Sequence, residues 1–183
     1  GSGDYAYTSA LSFSNALTLT AWIYVPSNAP NIQTVSANCG GGTASGFRLY
    51  VNGYNSNPGD GKLCLETANG ATRRDVASAA GAVAKDQWQH VAAVIDRSGG
   101  TATLYRNGAV VGSGAIRTDF TNSTALYLGG MNGNTYPFRS NMDDVRVYGR
   151  LLGAAEIAAL VNAVNVPPGL GGVTNRALAV NAN

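Results

Sequence analysis

Apolar and polar residues alternate with a period of two along most of this chain, which is the pattern of strands that bury one face. The clearest example is the segment 17–25 (LTLTAWIYV), which Pro26 ends. The pair Asn107 and Gly108 follows another such run and predicts a hairpin turn, because both residues tolerate positive φ. The predicted strands are 17–25, 47–51, 62–66, 89–95, 101–106, 109–111, 125–129 and 142–148. Short strands separated by turn residues favour an all-β fold, an antiparallel two-sheet sandwich.

One segment has helical spacing instead. Apolar residues recur every three or four positions over 152–162, with good helix formers between them, which predicts one short helix. The stretch 166–174 is rich in proline and glycine and is typical of a linker. Residues 175–183 alternate again like a strand. We therefore expect a domain over 1–165, a linker over 166–174 and a C-terminal strand over 175–183.

Charge is scarce in this chain. Charged residues make up 12% of the 183 residues, about half the usual share for a globular protein. The net charge of +2 is too small and too scattered to indicate nucleic acid as a partner. No apolar run approaches the ~20 residues that cross a bilayer, so we expect no membrane insertion. A surface of Asn, Ser, Thr and Gly suits an extracellular protein, and it also suits a subunit that assembles with copies of itself.

The chain has two cysteines, Cys39 and Cys64. They lack a CxxC spacing, and the single histidine, His90, gives them no partner for a metal site. A disulfide is the favoured prediction, with two buried free thiols as the alternative. The disulfide would place the protein in an oxidising compartment.

Candidate catalytic groups are few. The two glutamates, Glu66 and Glu156, have no second carboxylate within a few residues to serve as an acid–base partner. His90 lies inside an apolar run and is expected to be a core histidine. No nucleophile elbow is present. We expect a protein that is not an enzyme.

Three stretches of the chain resemble bacterial laminin G-like jelly rolls of the concanavalin A-like type. They are the segment 17–25, the segment 87–95 with its continuation 104–108, and the segment 138–148 with its continuation to Ile157. The resemblance covers about residues 1–161 and implies a jelly-roll sandwich. Domains of this fold class often bind carbohydrate.

The two ends of the chain depart from that family. Its first strand usually forms one unbroken segment, but residues 1–5 look like the second half of that segment and residues 175–183 look like the first half. The tail is therefore expected to complete the sandwich, either in its own chain or in the next subunit, unless it is the remnant of a following repeat. Donation to the next subunit builds a head-to-tail homopolymer, so our first functional expectation is an extracellular filament. The predicted donor residues are Ala177, Leu178, Ala179 and Val180.

Carbohydrate binding by a monomeric module, appended to a polysaccharide-active enzyme, is the alternative function. Sugar sites combine exposed aromatic faces with polar side chains. Two tyrosines lie in loops rich in Asn and Gly, and the candidate ligands are Tyr54, Asn55, Asn134 and Tyr136. Tyrosines in such loops also occur as packed covers, and that alternative stays open.

The resemblance also implies a structural calcium ion near the first strand segment and the acidic pair before the last strand. The matching residues are Asp4, Asp143 and Asp144, and calcium prefers such oxygen ligands. The alternative is that one of the paired aspartates forms a surface ion pair with Arg146 or Arg150.

Overall fold

The structure is a computed structural model that describes residues 5–13, 15–29, 32–56, 59–121, 125–131, 135–163 and 179–181. Within these residues the strands form two six-stranded sheets, which confirms the predicted sandwich. The strands and the helix are β1 (Ala6–Ala10), β2 (Ala16–Tyr24), β3 (Gln33–Ala37), β4 (Gly46–Val51), β5 (Leu63–Ala68), β6 (Arg73–Ala77), β7 (Trp88–Asp96), β8 (Thr101–Arg106), β9 (Ala109–Ala115), β10 (Ala125–Leu128), β11 (Asn141–Tyr148), α1 (Ala154–Ala163) and β12 (Ala179–Asn181). Sheet A has the order β1-β10-β3-β4-β5-β6, and sheet B has the order β12-β11-β2-β7-β8-β9.

The core lies between the two sheets and follows from the alternation. In β4, Phe47, Leu49 and Val51 belong to the core cluster, while Arg48 and Tyr50 face outward, because successive strand residues point to opposite faces. The same rule places every second residue of β2, from Leu17 to Ile23, in this core. Each of the larger side chains among them, such as Leu17, Leu19 and Ile23, contributes about 1.5–3 kcal/mol on burial.

The hairpin and the helix are both confirmed. Asn107 and Gly108 have φ values of 48° and 80°, as a type I′ turn between β8 and β9 requires. Helix α1 lies on the outer face of sheet B, where Leu152 and Ile157 pack in a cluster with Tyr105 and Tyr148. None of the helices formed by the described residues is both long enough and apolar enough to cross a membrane.

Three strands were not predicted: β1, β3 and β6. Strand β6 is polar and mostly exposed, with Val76 its one buried side chain, because it lies at the edge of sheet A. Strand β3 changes register between Thr34 and Ser36, and this bulge breaks the period of two. The alternation of apolar and polar residues is therefore a weak predictor of both β3 and β6.

The two ends of the chain occupy edges of different sheets. Strand β1 pairs with β10 at the edge of sheet A. Strand β12 pairs with β11 of the same chain in a parallel arrangement, with Ala179 opposite Arg146 and Val180 opposite Val147. The tail therefore adds a strand to its own sandwich in this structure, and donation to another subunit stays a prediction. The other predicted donor residues, Ala177 and Leu178, and the linker 166–174 lie outside the described residues.

The predicted disulfide is wrong, since Cys39 and Cys64 are free, buried thiols. Cys39 follows β3 and its Sγ donates to the carbonyl oxygen of Phe47 at 3.4 Å, whereas Cys64 lies in β5 opposite Tyr50. Strand β4 separates β3 from β5, which puts the two cysteines at least ~10 Å apart across the sheet. A disulfide needs Cα atoms about 4.4–6.8 Å apart.

Candidate functional site

The outer face of sheet A carries a continuous row of side chains. Residues that pair across neighbouring strands share a face, and neighbouring strands lie ~4.8 Å apart. The row therefore crosses all six strands over roughly 24 Å. It runs through Tyr7, Tyr127, Ala37, Arg48, Glu66 and Asp75.

A buried ion pair stands at the centre of this row. Arg48 Nη2 donates to Glu66 Oε2 at 2.8 Å, and both side chains are 0% exposed. The hydroxyl of Tyr54 donates to the same carboxylate oxygen at 2.8 Å and also contacts Arg48 Nη2. Arg73, one third exposed, approaches Glu66 from outside at 3.5 Å. Hydrogen bonds between charged groups are the strong ones, so these contacts hold Tyr54 in a fixed position over β4 and β5.

The surroundings shift the pKa values of Arg48, Tyr54 and Asp75. Burial lowers the pKa of Arg48, but the carboxylate of Glu66 and the hydroxyls of Tyr54 and Tyr50 together more than compensate, so that the pKa is raised. Burial raises the pKa of Tyr54 to about 12, and the phenol therefore stays protonated. Burial also raises the pKa of Asp75, against the opposing effect of Arg73.

Tyrosine rings surround the guanidinium of Arg48. Its Cζ lies 4.5 Å from the ring centroid of Tyr50, 5.3 Å from that of Tyr54 and 5.4 Å from that of Tyr136, within the range of cation–π attraction. The structure thus brings Tyr54 and Tyr136, both predicted as sugar ligands, to one point. Of the other two predicted ligands, Asn55 lies in the Tyr54 turn with φ 63°, and Asn134 lies outside the described residues. We call Arg48, Glu66, Tyr54 and Tyr136 the Arg48 cluster.

Buried polar atoms at the Arg48 cluster lack partners. Among the described residues, Thr34 Oγ1, Arg48 Nε and Glu66 Oε1 are buried with no hydrogen-bond partner. Thr34 is opposite Tyr50 and therefore shares the outer face. Each such atom costs about 1–3 kcal/mol when it stays unpaired. The Arg48 cluster and the neighbouring Thr34 therefore combine one N–H donor, one carboxylate acceptor and one hydroxyl that both donates and accepts. Beside them lies the partly exposed ring of Tyr136, which is 37% exposed.

The predicted calcium ligands do not form a site among the described residues. Both carboxylate oxygens of Asp144 accept hydrogen bonds from Arg146, at 2.8 and 2.9 Å. This is the ion pair expected from the sequence as the alternative to calcium. Asp143 Oδ1 accepts from the backbone N–H of Asp144 at 2.7 Å. Asp4 lies outside the described residues, and no group of three His, Cys, Asp or Glu side chains meets within them. Calcium stays a prediction.

His90 is buried as predicted, with 2% exposure, but it lies on the outer face of sheet B and not in the core between the sheets, and its Nδ1 has no hydrogen-bond partner among the described residues. Burial lowers its pKa to about 4, against the opposing effect of Asp144, so it is neutral at pH 7. Trp22 packs edge-on against it at 5.8 Å and is 6% exposed. These two side chains belong to the outer face of sheet B and are not part of the Arg48 cluster.

Sequence reasoning did not identify Thr34, Arg48 and Glu66 as members of this site. One signal was present for Arg48, an arginine between the apolar residues Phe47 and Leu49 at a position that alternation directs outward. The pairing of Arg48 with Glu66 depends on the register between β4 and β5, and alternation alone does not fix that register.

Known proteins were compared with this chain. The laminin G-type family model described as "Concanavalin A-like lectin/glucanases superfamily" matches residues 1–158. A search of curated proteins found no match.

Solved structures with a similar fold include a pentraxin, a carbohydrate-binding module and a toxin domain. The native heptameric SAP-like pentraxin from Limulus polyphemus has a TM-score of 0.63 and 16% identity, over 86% of this chain and 74% of the pentraxin. The CBM40 of the Ruminococcus gnavus IT-sialidase, bound to alpha2,3 sialyllactose, has a TM-score of 0.63 and 19% identity, over 85% and 97%. The binding domain of botulinum neurotoxin serotype G has a TM-score of 0.61 and 17% identity, over 85% of this chain and 37% of that domain.

Identities this low show a shared fold and nothing finer. The family model, in contrast, matches most of the chain and agrees with the two-sheet sandwich. The chain belongs to the laminin G-like branch of the concanavalin A-like lectin/glucanase superfamily.

Proposed function

We propose that this protein is a non-catalytic, extracellular carbohydrate-binding module, and that sugar binds at the Arg48 cluster on the outer face of sheet A. The observation that carries the proposal is the set of buried polar atoms without partners, Thr34 Oγ1, Arg48 Nε and Glu66 Oε1. They lie beside a partly exposed tyrosine ring. Sugar hydroxyls both donate and accept hydrogen bonds, and ligand pockets typically place a few such polar groups beside aromatic faces.

The ring of Tyr136 is suited to pack against the apolar face of a pyranose. A hydroxyl of that sugar then donates to Thr34 Oγ1 or Glu66 Oε1 and satisfies a buried acceptor. Both acceptors are buried, so the side chains of Tyr54 and Tyr136 must shift as the sugar enters. The fixed hydrogen bond from Tyr54 to Glu66 limits that shift and favours Tyr136 as the moving side chain.

The charges of this face favour a neutral glycan. Arg48 and Arg73 face Glu66 and Asp75 across β4, β5 and β6, so that two positive groups are matched by two negative ones. A carboxylated sugar gains no unpaired cation here, since Arg48 is already bound to Glu66. The similarity to the Ruminococcus gnavus module supports carbohydrate binding as a class and does not extend to its sialylated ligand.

The test is retention on an array of neutral and acidic polysaccharides. We expect the wild-type protein to bind a neutral polysaccharide, and we expect Tyr136→Ala to weaken binding at least tenfold, about 1.4 kcal/mol. Thr34→Val is a near-isosteric second variant that removes only the unpaired oxygen, and it too should lose affinity. Val110→Ala is the control, because Val110 lies on β9 of sheet B and is 58% exposed. No retention on any polysaccharide, or equal retention of all four proteins, would refute the proposal.

A second candidate function is assembly into an extracellular filament through the C-terminal strand. The observation that favours it is the position of β12, a three-residue strand beside β11 at the edge of sheet B. An identical strand from another subunit offers the same backbone groups to this edge, and the proline- and glycine-rich stretch 166–174 suits such an exchange. Size-exclusion chromatography and electron microscopy of the full chain and of a 173–183 deletion decide the matter. Fibres that disappear on deletion support assembly, and a compact monomer for both proteins contradicts it.

A further inference from the structure

Three tyrosines that are not members of the Arg48 cluster form an aromatic surface at the edge of sheet A. The ring centroids of Tyr5, Tyr7 and Tyr127 lie 5.9–6.2 Å from one another. Tyr7 is 67% exposed and Tyr5 is 41% exposed. We call these residues the tyrosine platform. Exposed apolar residues that adjoin one another mark a binding site more often than scattered ones do.

The platform is continuous with the proposed sugar site. Tyr127 is opposite Ala37 on β3, and the backbone N–H of Thr34 donates to the carbonyl oxygen of Tyr136 at 3.2 Å. Tyr127 and Tyr136 therefore flank the same side of β3, beside Ala37 and Thr34, whose partners on β4 are two residues apart because of the bulge in β3, which corresponds to about 7 Å. That distance exceeds the width of one pyranose ring, so a ligand that contacts both surfaces has more than one sugar unit.

The chemistry of the platform matches a neutral sugar. Tyr7 lies on β1 (AYTSA) and Tyr127 on β10 (ALYL), two strands that contain no charged residue, and Tyr5 directly precedes β1. Tyrosine combines a ring face for stacking with a hydroxyl for hydrogen bonding. Cross-strand contact between Tyr7 and Tyr127 would by itself stabilise β1, but that role does not require Tyr5 and Tyr7 to remain so exposed.

We infer that the tyrosine platform is a second sugar-stacking subsite, and that the ligand is a linear neutral polysaccharide bound along its length across β1, β10 and β3, not a terminal sugar. This inference rests on the proposed function and names the class of glycan. The Arg48 cluster then fixes one sugar unit through its polar atoms, while the platform supports units further along the chain.

The experiment compares oligosaccharides of increasing length. The probes are β-1,4-glucan, β-1,3-glucan, mannan and xylan oligomers from dimer to octamer, measured by calorimetry against the full chain. The double variant Tyr5→Ala/Tyr7→Ala should bind long oligomers about tenfold more weakly than the wild type and dimers equally well. Tyr136→Ala should weaken the binding of both, and Val110→Ala should weaken neither. Melting temperatures of the variants verify that each is folded.

The outcomes separate the two claims. If the wild type binds oligomers and the double variant binds every length as well as the wild type does, the subsite is refuted while the proposed function stands. If the wild type binds no oligomer and no parent polysaccharide, both fail. A concentration-dependent dimer of the wild type that the double variant abolishes would show that the platform contacts a second copy of the chain instead, and this also overturns the inference.

Discussion

Arg48→Met removes one member of an ion pair whose two side chains are both 0% exposed. The remaining carboxylate of Glu66 is then buried without its closest cation. Breaking a buried pair in this way costs about 3–5 kcal/mol of unfolding free energy. Arg73 at 3.5 Å and the hydroxyl of Tyr54 at 2.8 Å still face Glu66, so we expect the lower end, about 3 kcal/mol.

The assay is urea unfolding of a double-mutant cycle. The variant Arg48→Met/Glu66→Leu replaces both charges by apolar groups and should be more stable than Arg48→Met alone, because no unpaired charge remains. The control is Arg146→Met, which breaks the partly exposed pair with Asp144 and should cost no more than about 1 kcal/mol. The second single variant of the cycle is Glu66→Leu. The burial of this pair is refuted if Arg48→Met loses less than about 1 kcal/mol of unfolding free energy and the loss in the double variant equals the sum of the losses in the two single variants.

Three further predictions concern pH, thiols and metal. Burial lowers the pKa of His90 to about 4 from 6.5, so the contribution of this residue to stability is complete above pH 6.5 and is lost as the pH falls toward 4. Over this interval the unfolding free energy of the wild type should drop by roughly 3 kcal/mol more than that of His90→Gln. Equal drops for the two proteins would contradict the prediction. Denatured, unreduced protein should show two reactive thiols. The folded protein should react slowly with thiol reagents, because burial raises the pKa of Cys64 to about 11. If the denatured protein shows no reactive thiol, the two cysteines form a disulfide after all. If calcium binds near Asp143, a chelator should lower the melting temperature of the wild type and leave that of Asp143→Asn unchanged. A wild-type melting temperature that the chelator does not change would refute the calcium prediction.

The sequence predicted the fold well where apolar and polar residues alternate. Strand β8 alternates because one of its faces packs in the core, and β2 alternates in residue type although both of its faces are buried. Asn107 and Gly108 have the positive φ values that their turn requires. Strand β6 was not predicted because four of its five side chains are exposed. The disulfide prediction was wrong because a count of cysteines contains no information about the strand between them.

The site was predicted only in part. Tyr54 and Tyr136 were identified because aromatic residues in Asn- and Gly-rich loops stand out in composition. Their meeting over Arg48 was not foreseeable, since it requires the register of β4 against β5 and the path of two loops that are distant in sequence. A shift of one residue in that register would turn Glu66 away from Arg48. The chemistry of the cluster therefore emerges only with the folded sheet.

The most direct test of the central claim is an NMR titration of the labelled wild-type protein with the neutral oligosaccharides named above. Our account predicts saturable shifts of the backbone amides of Thr34, Arg48, Tyr54 and Tyr136, on the outer face of sheet A, with little change in β8 and β9 of sheet B. Saturable shifts confined to sheet B, or none with any oligosaccharide, would contradict it.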